Sequence, residues 1–443
     1  MSAPTPSPSP AAADEHLPAE RERAYWAQVE RDLPRNFLAN LAHGMLGQTG
    51  FRLMSAPTFV PAYIYLLSGS KIAVGLILGA QFIGMAMSSI WSATLIEHRE
   101  RVMRVVYAVG WLMRIQIFLL AVSAFLVSGQ WALLAAFVFL TLYGFFSGMQ
   151  GVAFSVLMSK VIPTNQRGKL IGWRNFLGGL IASGVAYLGG KYLVGMNTFG
   201  NGYASTFMLS FILTSIGISA LTFVREPGSL ITHPKQSVFT ERLADIPGIL
   251  RSDHDYRRLF YAIGLGAFGV AAVPFYILYV GDHINLSGTA LGYFSLAFLL
   301  SLTVCNLVWG KIADVQGYRL VFLLSVGLWG LSTVLLLAGS SFTIFIIAFC
   351  GLGAGFGGYQ VASQNFVLEF GKPHELPMLI ALSNTASYLM MAIGPLVGGI
   401  IATHFGYQEI FWLALIVKII SILIVWKIKD PRNKTRIRIE GYE

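Results

Sequence analysis

The sequence predicts an all-α membrane protein, with twelve transmembrane helices in two six-helix pseudo-symmetric bundles. Three observations point there. Of 443 residues, 55% are hydrophobic and only 12% are charged, against roughly 25% charged in an ordinary soluble domain. The charged residues fall in short clusters, separated by apolar runs long enough to cross a hydrocarbon core. One long polar connection, 225–257, divides six such runs from six. The mean hydropathy of +0.65 agrees with lipid as the solvent.

In chain order, residues 1–36 begin with a Pro/Ser/Ala stretch and continue into the charged segment 14–35, which predicts a disordered cytoplasmic tail followed by a short surface helix over 19–31. A secretory signal would place an apolar core and a small-residue cleavage site there instead. The predicted spans are 37–66, 72–96, 102–127, 131–159, 169–194 and 203–224, forming an N-terminal bundle over 37–224. After the linker 225–257 come 258–281, 288–311, 320–339, 342–369, 378–402 and 408–426, forming a C-terminal bundle over 258–426, and then a basic tail, 427–443. An even number of spans leaves both termini on one side. Of 31 Lys and Arg residues, 26 sort to that side, four of them between spans 4 and 5. The opposite loops hold Lys71 and Lys191, and Arg52, Arg114 and Lys418 fall within spans. By the positive-inside rule both termini are cytoplasmic, and the expected location is a bacterial inner membrane.

The formal charge of +10 does not call for nucleic acid, because the basic residues sit at helix ends where anionic headgroups supply the counter-charge. Cys305 and Cys350 both lie inside apolar runs, which gives no basis for a disulfide framework or a metal cluster. No cofactor motif is present. The expected partners are the lipid bilayer and a small-molecule substrate, with a coupling ion left open.

The two halves carry a repeat. Shifting the first half by 217 positions aligns Pro57 with Pro274, Gly75 with Gly292, Glu97 with Asp314 and Gly110 with Gly327. A shift of about 209 pairs Asn175 with Asn384, Gly184 with Gly394 and Gly190 with Gly399. The loop after the eighth span reads Gly310, Lys311, Ile312, Ala313, Asp314, Val315, Gln316, Gly317, Tyr318, Arg319. Its glycines permit a tight turn, and its acid and base suit helix termini. This loop resembles the Gly-x-x-x-Asp-x-x-Gly-x-Arg signature of the major facilitator superfamily. Topology and repeat extend the resemblance over about 37–426. The first-half copy is degraded, with Ala93 and Glu100 replacing the glycines while Glu97 keeps the acid. The resemblance implies alternating access, with Glu97, Gly310, Asp314, Gly317 and Arg319 as gating residues; the plainer alternative is that the loop only staples adjacent helices.

Candidate cavity residues start from Arg52. An arginine at a bilayer midplane costs roughly 2.5–3.5 kcal/mol on insertion scales, so it should face a cavity or a partner. It shares a helical stripe with Asn40, His43, Gln48 and Ser55, while Pro57 and Pro61 bend or break the helix beyond it. It either contacts substrate or bonds the carbonyls of a neighbouring helix. In the resembling family spans 1, 4, 7 and 10 line the cavity. Span 4 offers Tyr143, Ser147 and Gln150, span 7 offers Phe275, Tyr276 and Tyr279, and span 10 offers Gln360, Gln364 and Asn365. For each the alternative is interhelical hydrogen bonding or aromatic packing. Arg114 is an additional midplane charge, and Lys418 is expected to snorkel or pair with a carbonyl.

The sequence thus points to a secondary transporter for a small solute, an organic anion being favoured by Arg52. A sugar or drug transporter of the same fold, or a receptor or assembly protein without transport, stays open. No acid lies at the centre of a span, so a proton relay would need Glu369 or His43. The fifth span lacks the Gly-Pro that marks many drug antiporters of the resembling family, whereas the eleventh has it in Gly394 and Pro395. No nucleophile motif, phosphate loop or His-Glu-x-x-His occurs, so the expectation is that the protein is not an enzyme.

Overall fold

A computed structural model describes residues 19–96, 99, 101–228, 248, 250, 253–370 and 376–428. Among these every regular element is helical. Among the described residues eleven helical stretches are long and apolar enough to cross a membrane, and the chain is an integral membrane protein.

The twelfth span is the first in the chain, and its form departs from expectation. The predicted surface helix does not stand apart: α1 (Ala19–Ser55) runs unbroken from the charged segment into the bundle, through Pro34. The junction is held from outside, because Arg225 pairs with Asp32 at 3.2 Å and donates its backbone N–H to Asn36 Oδ1 at 2.8 Å. The span then breaks at residues 56–58 and resumes as α2 (Phe59–Ser68). Pro57 has no N–H for the ladder, and Pro61 falls in the first turn of α2, where a missing donor costs little. The polar start of α1 and this break leave the first span without one continuous apolar helix.

The first half continues with α3 (Lys71–Ile96), α4 (Met103–Leu126), α5 (Gly129–Val161), α6 (Thr164–Leu188), extended by a wider π turn, Gly189–Val194, and α7 (Gly202–Ser219). The second half opens with α8 (His254–Phe268), a tighter 3-10 turn over Gly269–Ala272, and α9 (Val273–His283), with Pro274 in its first turn. The prolines paired by the repeat therefore interrupt the first and seventh spans at the same register. Then follow α10 (Gly288–Gln316), α11 (Tyr318–Ala338), α12 (Phe342–Asn365), α13 (Leu376–His404) and α14 (Tyr407–Trp426).

The packing repeats as the sequence does. In the first half α3 and α4 pack on α5, α1 packs on α6 and α7, and α4 packs on α7. The second half pairs α10 and α11 with α12, α8 with α13 and α14, and α11 with α14. Between the halves, the main seams are α3 against α13 and α6 with its π turn against α10. Both seams close at the end remote from the basic loops: Gly75 lies against the Pro395 carbonyl, and Gly190 meets the backbone of Gly292 so closely that a Cβ would collide. Lys71 reinforces this far end, donating to Ala402 O at 3.2 Å with its amine 3.8 Å over the Tyr407 ring.

At the basic end each half fastens its third span to its sixth. In the first half Glu226, just past α7, accepts from the N–H groups of Val102 and Met103 at 2.7 and 2.9 Å and lies 3.6 Å from Lys160. A carboxylate there satisfies orphan donors and complements the helix dipole. The second half reverses the polarity, since Arg319 at the start of α11 donates to Val425 O and Trp426 O at the end of α14.

Candidate functional site

A cavity of about 310 Å³ lies between the halves. From the first half α1 presents Gln48, Arg52 and Ser55, spaced four and three residues apart and hence on one face, and α6 adds Asn175. From the second half, α10 gives Phe298, Leu299, Leu302 and Asn306, and α12 gives Phe356, Gly357, Gln360, Val361 and Gln364. The wall therefore has a guanidinium and amides on one side, and on the other an apolar surface rimmed by further amides.

Arg52 ties three helices together. Its Nη1 donates to Thr303 Oγ1 of α10 at 2.7 Å and its Nη2 to Asn175 O of α6 at 3.2 Å. Thr303 spends its own proton on Leu299 O at 2.7 Å, so its hydroxyl oxygen is left to accept from the arginine. The contact passes over Gly179, where a Cβ would strike both Arg52 Nη1 and Thr303 Oγ1. Further toward the far end, Thr58 and Ser295 join the halves through their hydroxyls at 2.7 Å, both fully buried. Toward the basic end α6 and α10 part: on the stripe of α6 that carries Gly179, Asn175 is exposed and Gly172 and Gly168 face open space.

The structure gathers Gln48, Arg52, Ser55, Gln360 and Gln364 of the expected residues around the cavity and leaves the others elsewhere. Tyr143, Gln150 and Tyr276 do not line it. Tyr143 is buried with its ring 6.4 Å from that of Phe51. Gln150 is buried inside the first half. The Tyr276 hydroxyl meets Thr333 Oγ1 at 3.1 Å, within the second half. Phe275 is buried, Tyr279 donates to Leu337 O, Asn365 donates to its own helix at Val361 O, and Ser147 is half-buried. On the α1 stripe, Asn40 donates to Asn36 O and His43 Nδ1 lies 3.0 Å from Gly217 O, because the lower part of α1 packs into its own bundle against α7. Glu369 Oε1 accepts from the Tyr318 N–H at the basic end.

The other charges within spans are internal. Arg114, fully buried, donates to Thr214 O at 2.7 Å and Gly110 O at 2.6 Å and faces the Phe51 ring. This is the arrangement of a structural arginine. Lys418 does not snorkel: its residue is 1% exposed, and its amine sits 4.2 Å over the Trp329 ring without a hydrogen-bond acceptor. Arg174, which the sequence sorted to a loop, is instead ten residues into α6, buried, and stacked 4.4 Å from the Phe154 ring. Asn175, Asn306, Phe298 and Phe356 were missed as cavity residues. Spans 5 and 8 were not counted as lining helices, although Asn175 carried a signal in its repeat partner Asn384 and Asn306 stands out in an apolar run.

Of the expected gating residues, Glu97 lies outside the described residues. Asp314 is exposed on the last turns of α10, and Gly310 has open space where its Cβ would be. Gly317 ends α10 with φ 87°, a conformation that favours glycine. Arg319 bonds within its own half, to the end of α14.

A model of the Major Facilitator Superfamily matches residues 259–441. The multidrug resistance protein MdtG of Salmonella typhi is 29% identical over 188 residues, 39% of this chain and 45% of that protein. MdtG of Dickeya zeae (strain Ech586) is 29% identical over 186 residues, 39% and 44% of the two chains. These matches therefore span less than half the length of the relatives. A crystal structure of a mutant of the nucleoside transporter NupG superposes with a TM-score of 0.67 at 14% identity, over 88% of this chain and 98% of that one. At such identity the likeness is one of fold. The chain thus resembles the major facilitator superfamily, in sequence through its second half and in fold along most of its length.

Proposed function

We propose that the protein is a secondary transporter that moves a small organic anion across the cytoplasmic membrane by alternating access. One observation carries the anion: Arg52 stands in a cavity between two halves with no carboxylate among the described lining residues. A half-buried guanidinium with no acid beside it loses part of its hydration without a counter-charge, and a ligand that carries a negative charge supplies one. Its fork, held by Thr303 and Asn175, is oriented before the ligand arrives.

Alternating access needs a cavity open to one side at a time. With the basic end taken as cytoplasmic, the far-end seams are the closed gate and this conformation faces inward. A receptor that kept the fold without transport would be expected to fill the space between its halves.

The MdtG relatives make a drug the rival substrate. A cationic drug calls for a carboxylate in the cavity, and the charge on the described wall is positive. A sugar would depend on Gln360 and Gln364 and tolerate loss of the arginine. The deciding measurement is uptake into proteoliposomes of an identified solute by Arg52→Lys and Arg52→Gln at equal protein. Lysine keeps the charge and loses the fork, whereas glutamine keeps donors and loses the charge. Lysine should therefore retain more anion uptake, and glutamine should lose about tenfold to a hundredfold, the worth of a charged hydrogen bond. Equal activity of both would return Arg52 to a structural role.

A further inference from the structure

We infer that the solute is a monocarboxylate with an apolar, ring-sized body, and that the site selects against dianions such as phosphate monoesters. This rests on the reading of Arg52 as the anion site and narrows it by charge and by shape.

Charge comes first. Among the described residues lining the cavity, Arg52 is the one with a charged side chain. The other cations buried in the spans are engaged inside their own bundles: Arg114 on the Thr214 and Gly110 carbonyls, Arg174 on Phe154, Lys418 on Trp329. The cavity thus offers a single positive charge. A carboxylate neutralises it, whereas a dianion would leave one charge uncompensated on a wall that is otherwise uncharged and largely apolar. The donor count agrees. Of five guanidinium N–H groups, Thr303 and Asn175 take two, which leaves three, enough for the two oxygens of a carboxylate.

Shape comes from α10 and α12. Thr303, which anchors the guanidinium, immediately follows Leu302 and is one turn from Leu299, so the charged head and the apolar wall adjoin on one helix. The wall is completed by Phe298 and Phe356, whose rings lie 6.1 Å apart and tilted by 35°, and by Val361. An acid as small as acetate would leave this surface wet, whereas a larger apolar body would cover it. At about 310 Å³ the space is at the small end for ligand pockets and suits one or two rings. The rim amides Gln48, Gln360 and Gln364 allow polar ring substituents.

The test uses purified full-length protein and calorimetric titration with benzoate, 1-naphthoate, acetate, benzyl alcohol and phenyl phosphate. At about pH 8 the two aromatic carboxylates should bind, with acetate, benzyl alcohol and phenyl phosphate each weaker by roughly tenfold or more. Phenyl phosphate loses its second charge near about pH 6. Its affinity relative to benzoate should therefore rise roughly tenfold between about pH 8 and about pH 5. Phe298→Leu should weaken 1-naphthoate more than benzoate. Phenyl phosphate binding as tightly as benzoate at the higher pH, acetate matching benzoate, or no binding by either aromatic carboxylate would each overturn the inference. Arg52→Gln separates the two levels. If phenyl phosphate matches benzoate at the higher pH in the unmutated protein and the variant abolishes both, the anion site stands and the monocarboxylate selection falls; if the variant spares both, the anion reading itself falls.

Discussion

Lys418 and Arg52 are both cations within spans, and their surroundings part them. Arg52 has acceptors from two helices and a cavity in front of it, whereas the Lys418 amine rests on the Trp329 ring with no acceptor. A desolvated cation–π contact gives back about 2 kcal/mol or somewhat more, against the several kcal/mol that burying an ammonium costs. Methionine has nearly the same length and no charge. Lys418→Met should therefore raise the thermal midpoint of the purified protein, by an amount equivalent to about 1–3 kcal/mol; a fall of similar size would mean that the amine has a partner which stabilises the fold. At this scale the sequence was legible where helical spacing alone decided the outcome. Gln48, Arg52 and Ser55 reach the cavity as one face of α1, and Gln360 and Gln364 as one face of α12. It was not legible for Tyr143, Gln150 and Tyr276, because a polar atom in an apolar span looks the same whether it faces a cavity or a neighbouring helix.

Helix positions were legible because each apolar run is bounded by charge, glycine or proline, and the helix ends follow the expected spans closely. Two elements were not. The fused α1 depends on contacts with residues after α7, nearly two hundred positions away, which no local pattern records. The fastening by Glu226 is remote as well, with 123 and 124 positions between it and the two N–H groups that it caps. Glu226→Ala removes the acceptor for two N–H groups at the start of α4 and the partner of Lys160. The expected cost is about 1–2 kcal/mol. Urea or thermal unfolding should show it, and Glu226→Asp should recover only part because its shorter arm no longer spans both donors. An unchanged midpoint in the alanine variant would reduce this contact to a surface pairing.

As a whole the molecule is a duplicated unit, and the repeat in sequence anticipated the repeated packing of α3–α5 by α10–α12 and of α1–α6 by α8–α13. What sequence did not reveal is which end is shut, since a glycine reads the same whether or not another backbone lies against it. The far-end seams rest on backbone approaching backbone at Gly75 and Gly190, which leaves no room for a side chain. Gly75→Leu should wedge the α3–α13 seam and shift the population toward the outward-open form. Spin labels placed on the outer loops should then show a longer distance across the seam, and cysteines introduced along the cavity wall should become reactive from outside. Unchanged distances would mean that the seam is not a gate.

Gly179 offers a last consequence, in terms of tolerance to mutation. It has no side chain to touch a solute, yet the space it vacates is where Arg52 reaches Thr303, and a single methyl group would stand in that bond. In a saturation scan under growth selection, position 179 should therefore score with Arg52 as part of the site, refusing even alanine. Gly168 and Gly172, on the same stripe of the same helix, have nothing within reach of an added methyl and should accept alanine freely. If all three glycines prove equally tolerant, the bridge across α6 is dispensable; if Gly179 alone is refused, a residue with no chemistry of its own is inherited as strictly as the arginine it makes room for.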